Sequence, residues 1–180
     1  MATTEILLAG FGGQGILFAG KILAYCGLMD NKELSWLPSY GPEMRGGTCN
    51  CSVCISDTPI GSPLVLTPDI LVALNQPSFD KFVSEVRPRG KVFFDSTLIT
   101  PECTRDDIEL FGIPSQQLAD DNGLRGGSNI ILLGKLIKET NLFSLEVMKK
   151  GIEKVVPPAK AHLIENNFKA IELGQIRFSR

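Results

Sequence analysis

The chain opens with a change of hydrophobic period. Residues 6–9, Ile-Leu-Leu-Ala, form an uninterrupted apolar run of the length of a buried strand. Ile16, Leu17, Ala19, Ile22 and Leu23 then recur at helical spacing, which predicts a helix with an apolar face. Residues 32–37 predict a second strand, ended by Pro38 and Gly41-Pro42. Residues 39–47, SYGPEMRGG, have the composition of a loop. In residues 48–56, Cys49, Cys51 and Val53 alternate with Asn50 and Ser52, the pattern of a strand. Asp57-Thr58-Pro59 predicts a turn, and residues 60–66 a returning strand that Pro63 assigns to an edge.

The second half alternates short apolar runs with helical patterns. Residues 69–74 and 92–94 predict buried strands, and residues 109–113 a further strand. Asn75-Gln76-Pro77-Ser78 starts a helix through Val83, with Pro77 suited to its first turn. Residues 116–121 predict a short helix, and residues 129–138 an apolar helix capped by Ser128. Ser144 caps a further helix with Glu146 in its first turn, and Pro157-Pro158 precedes a final amphipathic helix over residues 160–173. Parallel strands covered by helices are the natural architecture. The segments at 48–56 and 60–66 add antiparallel strands. The expected fold is α/β: a Rossmann-like three-layer α/β/α sandwich with a mixed, mostly parallel sheet, in one domain over residues 1–180.

Between the first strand and the first helix lies Gly10-Phe11-Gly12-Gly13-Gln14-Gly15. Strand, G-x-G-x-x-G, helix is the context of dinucleotide sites, because glycines let backbone approach a phosphate and the helix start offers free N–H groups. The same glycines also serve a plain structural turn, with Gly15 and Gly20 letting the helix pack closely. An NAD site further wants an acid about 20 residues on, at the end of the second strand. Glu33 has the distance but begins the next apolar segment.

Charge and cysteine content remove some function classes. The net charge is −2, which gives no electrostatic case for nucleic acid or an anionic membrane surface. No apolar run approaches the ~20 residues of a membrane span. The start carries no basic region ahead of its apolar run, and five cysteines without an export signal imply reduced thiols in a cytoplasm. Cys49-x-Cys51-x-x-Cys54 invites a metal or iron–sulfur reading. Strand alternation, however, sends Cys54 to the face opposite Cys49 and Cys51, and no fourth ligand follows at suitable spacing. These cysteines are expected as small core or interface residues, and no metal site is assigned. Asp120-Asp121-Asn122-Gly123 is expected as a helix-ending loop, and the single histidine, His162, as a surface or structural residue. Arg45, between Glu43 and Gly46-Gly47, suits a bidentate contact to phosphate or carboxylate. An ion pair to Glu43 is the competing role.

Three stretches carry a family resemblance: AGFGGQGILFAGKIL, SYGPEMRGGTCNCSVCISDTPIGSP and PDILVALNQPSFDKF. They resemble the gamma subunit of 2-oxoacid:ferredoxin oxidoreductases. The likeness runs from about residue 6 to 91, weakens, and continues through GGSNIILLGKLI and the final helix. SYGPEMRGG and LNQPS look most like the 2-oxoglutarate or broad 2-oxoacid type, with pyruvate, 2-ketoisovalerate and indolepyruvate types as relatives. The resemblance implies a complex that converts a 2-oxoacid and coenzyme A to acyl-coenzyme A and carbon dioxide, reducing ferredoxin. It places thiamine diphosphate and magnesium in the alpha and beta subunits, iron–sulfur clusters in beta or in a ferredoxin-like delta subunit, and no tightly bound cofactor in the gamma chain. Isolated, the chain is expected to be inactive and to self-associate as a homodimer. A stand-alone NAD- or flavin-binding protein and a purely architectural subunit are the alternatives.

Under this reading, Gly10, Gly12, Gly13, Gln14, Gly15, Glu43, Arg45, Gly46 and Gly47 are candidate ligand-binding or subunit-facing residues, and no catalytic residue is assigned. The two loops converge if the second strand lies parallel and adjacent to the first.

Overall fold

The computed structural model describes residues 3–39, 48–102 and 104–176. Six strands form one sheet: β1 (Thr4–Phe11), β2 (Glu33–Ser39), β3 (Thr48–Ser56), β4 (Ile70–Ala73), β5 (Lys91–Asp95) and β6 (Glu109–Ile113), in the order β2-β3-β1-β4-β5-β6. β1, β4, β5 and β6 run parallel, while β3 is antiparallel to both β1 and β2. The sheet is therefore mixed, as the pattern implied, but with different pairing. Residues 60–66 form no strand. Pro59, Gly61 and Pro63 interrupt any ladder there, Leu64 and Leu66 stay exposed, Ile60 packs in part against the core, and Val65 is buried, its N–H donating to Ser52 Oγ at 3.3 Å. β3's second partner is β2 instead. β2 continues through Pro38, which pairs opposite Cys51. As the edge strand it has a backbone side without a partner, where a missing N–H costs least.

The helices are α1 (Ile16–Met29), α2 (Gln76–Phe82), α3 (Ser115–Asp121), α4 (Ser128–Thr140), α5 (Leu145–Val155) and α6 (Ile164–Gly174). Strand alternation divides the core in two. Ile6, Leu8, Val53, Val72 and Phe93 join α1, α4, α5 and α6 in the larger cluster. Leu7, Ala9, Leu71, Val92 and Phe94 join Phe79 and Phe82 of α2, with Val65, Ile99 and Ile108 from irregular segments. Strands buried on both faces carry continuous apolar runs rather than alternation, which is why β1 and β4 are so plain in the sequence. The three layers are unequal: the four long helices and short α3 on one side, α2 and irregular chain on the other.

Helix ends follow local chemistry at two places and not at a third. Asn75 Oδ1 accepts from the Ser78 N–H at 2.9 Å, and Ser144 Oγ from the Val147 N–H at 3.2 Å, as expected of caps. Ser128 does not cap α4. The cap is Gly127, without a side-chain bond, and the Ser128 hydroxyl instead donates to Asp95 Oδ2 at 3.1 Å. The last helix also starts later than its pattern suggests, because Pro158–Leu163 is a 3₁₀ turn with Lys160 at φ −116°. Among the described residues, no helix is long and apolar enough to cross a membrane.

Candidate functional site

The glycine turn leaves β1 at the carboxyl edge of the sheet, the side on which open α/β sheets collect ligands. Gly13 (φ +95°) and Gly15 (φ +75°) occupy the left-handed region, where glycine carries no steric penalty. Gly15 is also the residue that precedes α1. A Cβ there would lie 2.3 Å from Asn129 Nδ2, the atom that donates to the Gly15 carbonyl at 3.0 Å. No side chain caps the start of α1, which leaves its first N–H groups without a side-chain acceptor at the positive end of the helix dipole. Gly12 and Gly13 are exposed beside them. Gly10 differs: it is buried in β1, and a Cβ would meet Gln14 Oε1 and Ile16 Cδ1 at 2.8 Å.

Gln14 is tied into the fold. Its Oε1 accepts from the Phe11 N–H at 2.7 Å and from Asn75 Nδ2 at 3.0 Å, while Nε2 donates to the Leu74 carbonyl at 2.8 Å. One amide joins the glycine turn to the end of β4 and the cap of α2. Only one N–H of that side chain is left for a ligand.

Glu43, Arg45, Gly46 and Gly47 lie outside the described residues. The strands that flank their segment are placed. β2 ends with Ser39 opposite Asn50, and β3 begins with Thr48 opposite Phe11. The chain therefore leaves β2 and enters β3 at the same edge as the glycine turn. β2 runs in the direction of β1 but is not adjacent to it, because β3 lies between them. Glu33 is exposed and begins β2, at the amino edge. An acid there is a strand's length from the glycine turn and cannot reach a ribose bound at it, which removes the main support for an NAD site.

The cysteines have the placement their alternation implied. Cys49 and Cys51 belong to the larger core cluster, and Cys54 to the smaller. Cys26, Cys49, Cys51 and Cys54 are all buried and free. Burial pushes the Cys26 and Cys51 thiols up to about 12 and raises Cys49 and Cys54 as well. Protonated thiols are poor nucleophiles and poor metal ligands at neutral pH. No group of three or more potential metal ligands occurs among the described residues. Asp120 and Asp121 form the last turn of α3 rather than a loop, and the chain turns only at Asn122 and Gly123 (φ +65°); His162 is exposed in the 3₁₀ turn.

A family model described as pyruvate ferredoxin/flavodoxin oxidoreductase matches residues 5–175. The chain belongs to this family. The 2-oxoglutarate synthase subunit KorC of Methanocaldococcus jannaschii is 44% identical over 156 residues, which span 85% of this chain and 83% of that protein. Ketoisovalerate oxidoreductase subunit VorA of Methanothermobacter thermautotrophicus is 39% identical over 172 residues, 94% of this chain but 35% of that protein. The chain thus spans about a third of that relative's length. Among solved structures, the gamma subunit of keto/oxoacid ferredoxin oxidoreductase from Geobacter sulfurreducens matches with a TM-score of 0.80 and 32% identity, over 96% of both chains.

In this member of the pyruvate ferredoxin/flavodoxin oxidoreductase family, the carboxyl edge holds buried polar residues whose long-range bonds leave no mark in the sequence. Asn75, Asn129 and Asp95 are buried, and the side chain of each bonds across elements distant in sequence. Asp95 ends β5 and accepts from the Thr97 and Gln116 N–H groups and the Ser128 hydroxyl. It holds the starts of α3 and α4 to the sheet. The only local signal was an aspartate directly after the apolar run Val92-Phe93-Phe94.

Proposed function

We propose that this chain is the gamma-type subunit of a 2-oxoacid:ferredoxin oxidoreductase, acting with alpha and beta subunits on a 2-oxoacid and coenzyme A. The observation that carries this is the glycine turn opening, uncapped, into α1 at the same sheet edge as the end of β2 and the start of β3. The end-to-end correspondence with a gamma subunit supports it. Relatives named for 2-oxoglutarate and for ketoisovalerate favour 2-oxoacids as a class. Thiamine diphosphate, magnesium and the clusters then reside in the partner subunits, and ferredoxin takes the electrons.

Gly12, Gly13, Gly15 and the first N–H groups of α1 supply backbone donors for a phosphate, and Arg45, with Gly46 and Gly47 beside it in sequence, supplies a fixed charge. Their ligand is coenzyme A. In the assembled complex, Arg45→Ala raises the Michaelis constant for coenzyme A by about tenfold or more, the loss of one charge-assisted contact, with assembly intact. Unchanged coenzyme A kinetics, or failure to assemble, leaves the loop an architectural role only.

A second surface suits a neighbouring subunit. On the thinly covered face of the sheet, Leu37, Leu64 and Leu66 are exposed and line one groove with Leu7 and Phe82. Exposed apolar clusters of this kind mark interaction sites. Without alpha and beta, the groove pairs with that of a second copy. Light scattering at micromolar concentration reads a dimer for the isolated chain, and Leu66→Asp returns it to monomer. A native chain that is already monomeric rules this pairing out.

A further inference from the structure

A cleft of about 430 Å³ lies between α1, the turn before α4, the end of α5 and the 3₁₀ turn that leads into α6. It shares no residue with the glycine turn. Its apolar lining includes Phe18, Leu124, Val155, Val156 and Leu163. Three cations from three separate elements also line it: Lys21 from α1, Arg125 from the turn before α4, and Lys160 from the 3₁₀ turn. No aspartate or glutamate lines the cleft.

The cleft is set apart by charge, with three cations and no carboxylate in one lining. Acids outnumber Lys and Arg, 20 to 18; Lys32, Arg87, Lys91, Arg105, Lys135, Lys149 and Lys150 form ion pairs, while Lys81, Arg89, Lys138, Lys154 and Lys169 stand singly rather than around one concavity. Lys21, Arg125 and Lys160 make no ion pair among the described residues. Lys21 only approaches the Tyr25 ring, at 6.0 Å. Like charges repel, so three unpaired cations around one concavity are a cost to the empty protein that a bound anion removes. Three positive charges match a phosphoryl group of charge near −2 better than a single carboxylate. An arginine fork suits phosphate oxygens. The volume falls within the ~300–1,000 Å³ of small-molecule sites, and apolar walls are their usual lining.

We infer that this cleft binds a small organic phosphate, its phosphoryl groups among Lys21, Arg125 and Lys160 and its body on the apolar lining. The site shares no residue with the glycine turn of the proposed coenzyme A contact, and stands whether or not that contact exists.

Calorimetric titration of the full chain with adenosine 5′-diphosphate tests it, with inorganic pyrophosphate as the comparison. Adenosine diphosphate saturates one site and binds more tightly than pyrophosphate. Arg125→Glu, an exposed change, weakens adenosine diphosphate by about tenfold or more and leaves the melting temperature unchanged. Lys160→Glu does the same. Arg45→Ala leaves this affinity at the native value, so failure of the coenzyme A reading does not register here. Absence of saturable binding overturns the inference, as does binding that Arg125→Glu leaves intact. Equal affinity for pyrophosphate and adenosine diphosphate removes the organic body. Burial of the cleft by a partner subunit in the complex, with no phosphate binding in the free chain, reassigns it as an interface.

Discussion

Gly134→Ala lowers the melting temperature of the chain by roughly 6–12 °C, from a loss of about 3 kcal/mol at some 2–4 °C per kcal/mol for a domain of this size. The cause is backbone contact between α4 and α6. A Cβ on Gly134 would lie 2.2 Å from the Ile171 carbonyl oxygen and 2.9 Å from Gly174 Cα. A Cβ on Gly174 would lie 2.1 Å from the Ile131 carbonyl oxygen. Neither clash involves a side chain that can rotate away, so the helices must separate. α4 has no room to move: Ile130, Ile131, Leu132, Leu133 and Leu136 are all at most 1% exposed. Alanine's better helix propensity returns only about 1 kcal/mol. Gly61→Ala is the control, since its Cβ meets nothing within 4 Å and its φ lies outside the left-handed range, and it stays within about 0.5 kcal/mol of native. Circular dichroism melts of both variants measure the difference. Equal melting temperatures would show that the helices can part without cost.

Asp95→Leu has an effect of similar size by a different route. The native carboxylate is fully buried. It accepts from the Thr97 N–H at 2.9 Å, the Gln116 N–H at 3.0 Å and the Ser128 hydroxyl at 3.1 Å. Leucine leaves those donors without an acceptor, at about 1–3 kcal/mol for each that stays dry. Two of the three bonds are only partly buried, so water recovers part of the loss, and about 3 kcal/mol remains. Ser128 precedes Asn129, whose amide donates to the Gly15 carbonyl, so the damage reaches the glycine turn. Urea unfolding reads the stability, and hydrogen exchange reads faster amides at the starts of α3 and α4. Asp95→Asn keeps one acceptor oxygen and falls between native and leucine. A leucine variant as stable as native would show that water or Ser115, whose hydroxyl is 2.9 Å from that of Ser128, replaces the carboxylate.

The amino-acid sequence by itself determined whatever depends on near neighbours. The change from apolar run to helical period around Gly10–Gly15 placed β1, the turn and α1, because backbone period and glycine's positive φ are local properties. The same holds for Asn75 capping α2, for Ser144 capping α5, and for β6 over Glu109–Ile113. The cysteine alternation at 49, 51 and 54 was readable because side chains of a strand take alternate faces. Only the tertiary structure decided which segments meet. β3 pairs with β1 and β2 rather than with residues 60–66, since an apolar run specifies burial but not its partner. Ser128 abandons the cap position for Asp95, 33 residues earlier, because a buried carboxylate draws any available hydroxyl. Gln14 turns inward to Leu74 and Asn75, 60 and 61 residues away. The cationic cleft joins Lys21 to Arg125 and Lys160 through the packing of α1 against α5 and of α4 against α6. Spacing along the chain records none of these meetings, because they arise from burial and pairing summed over the whole fold.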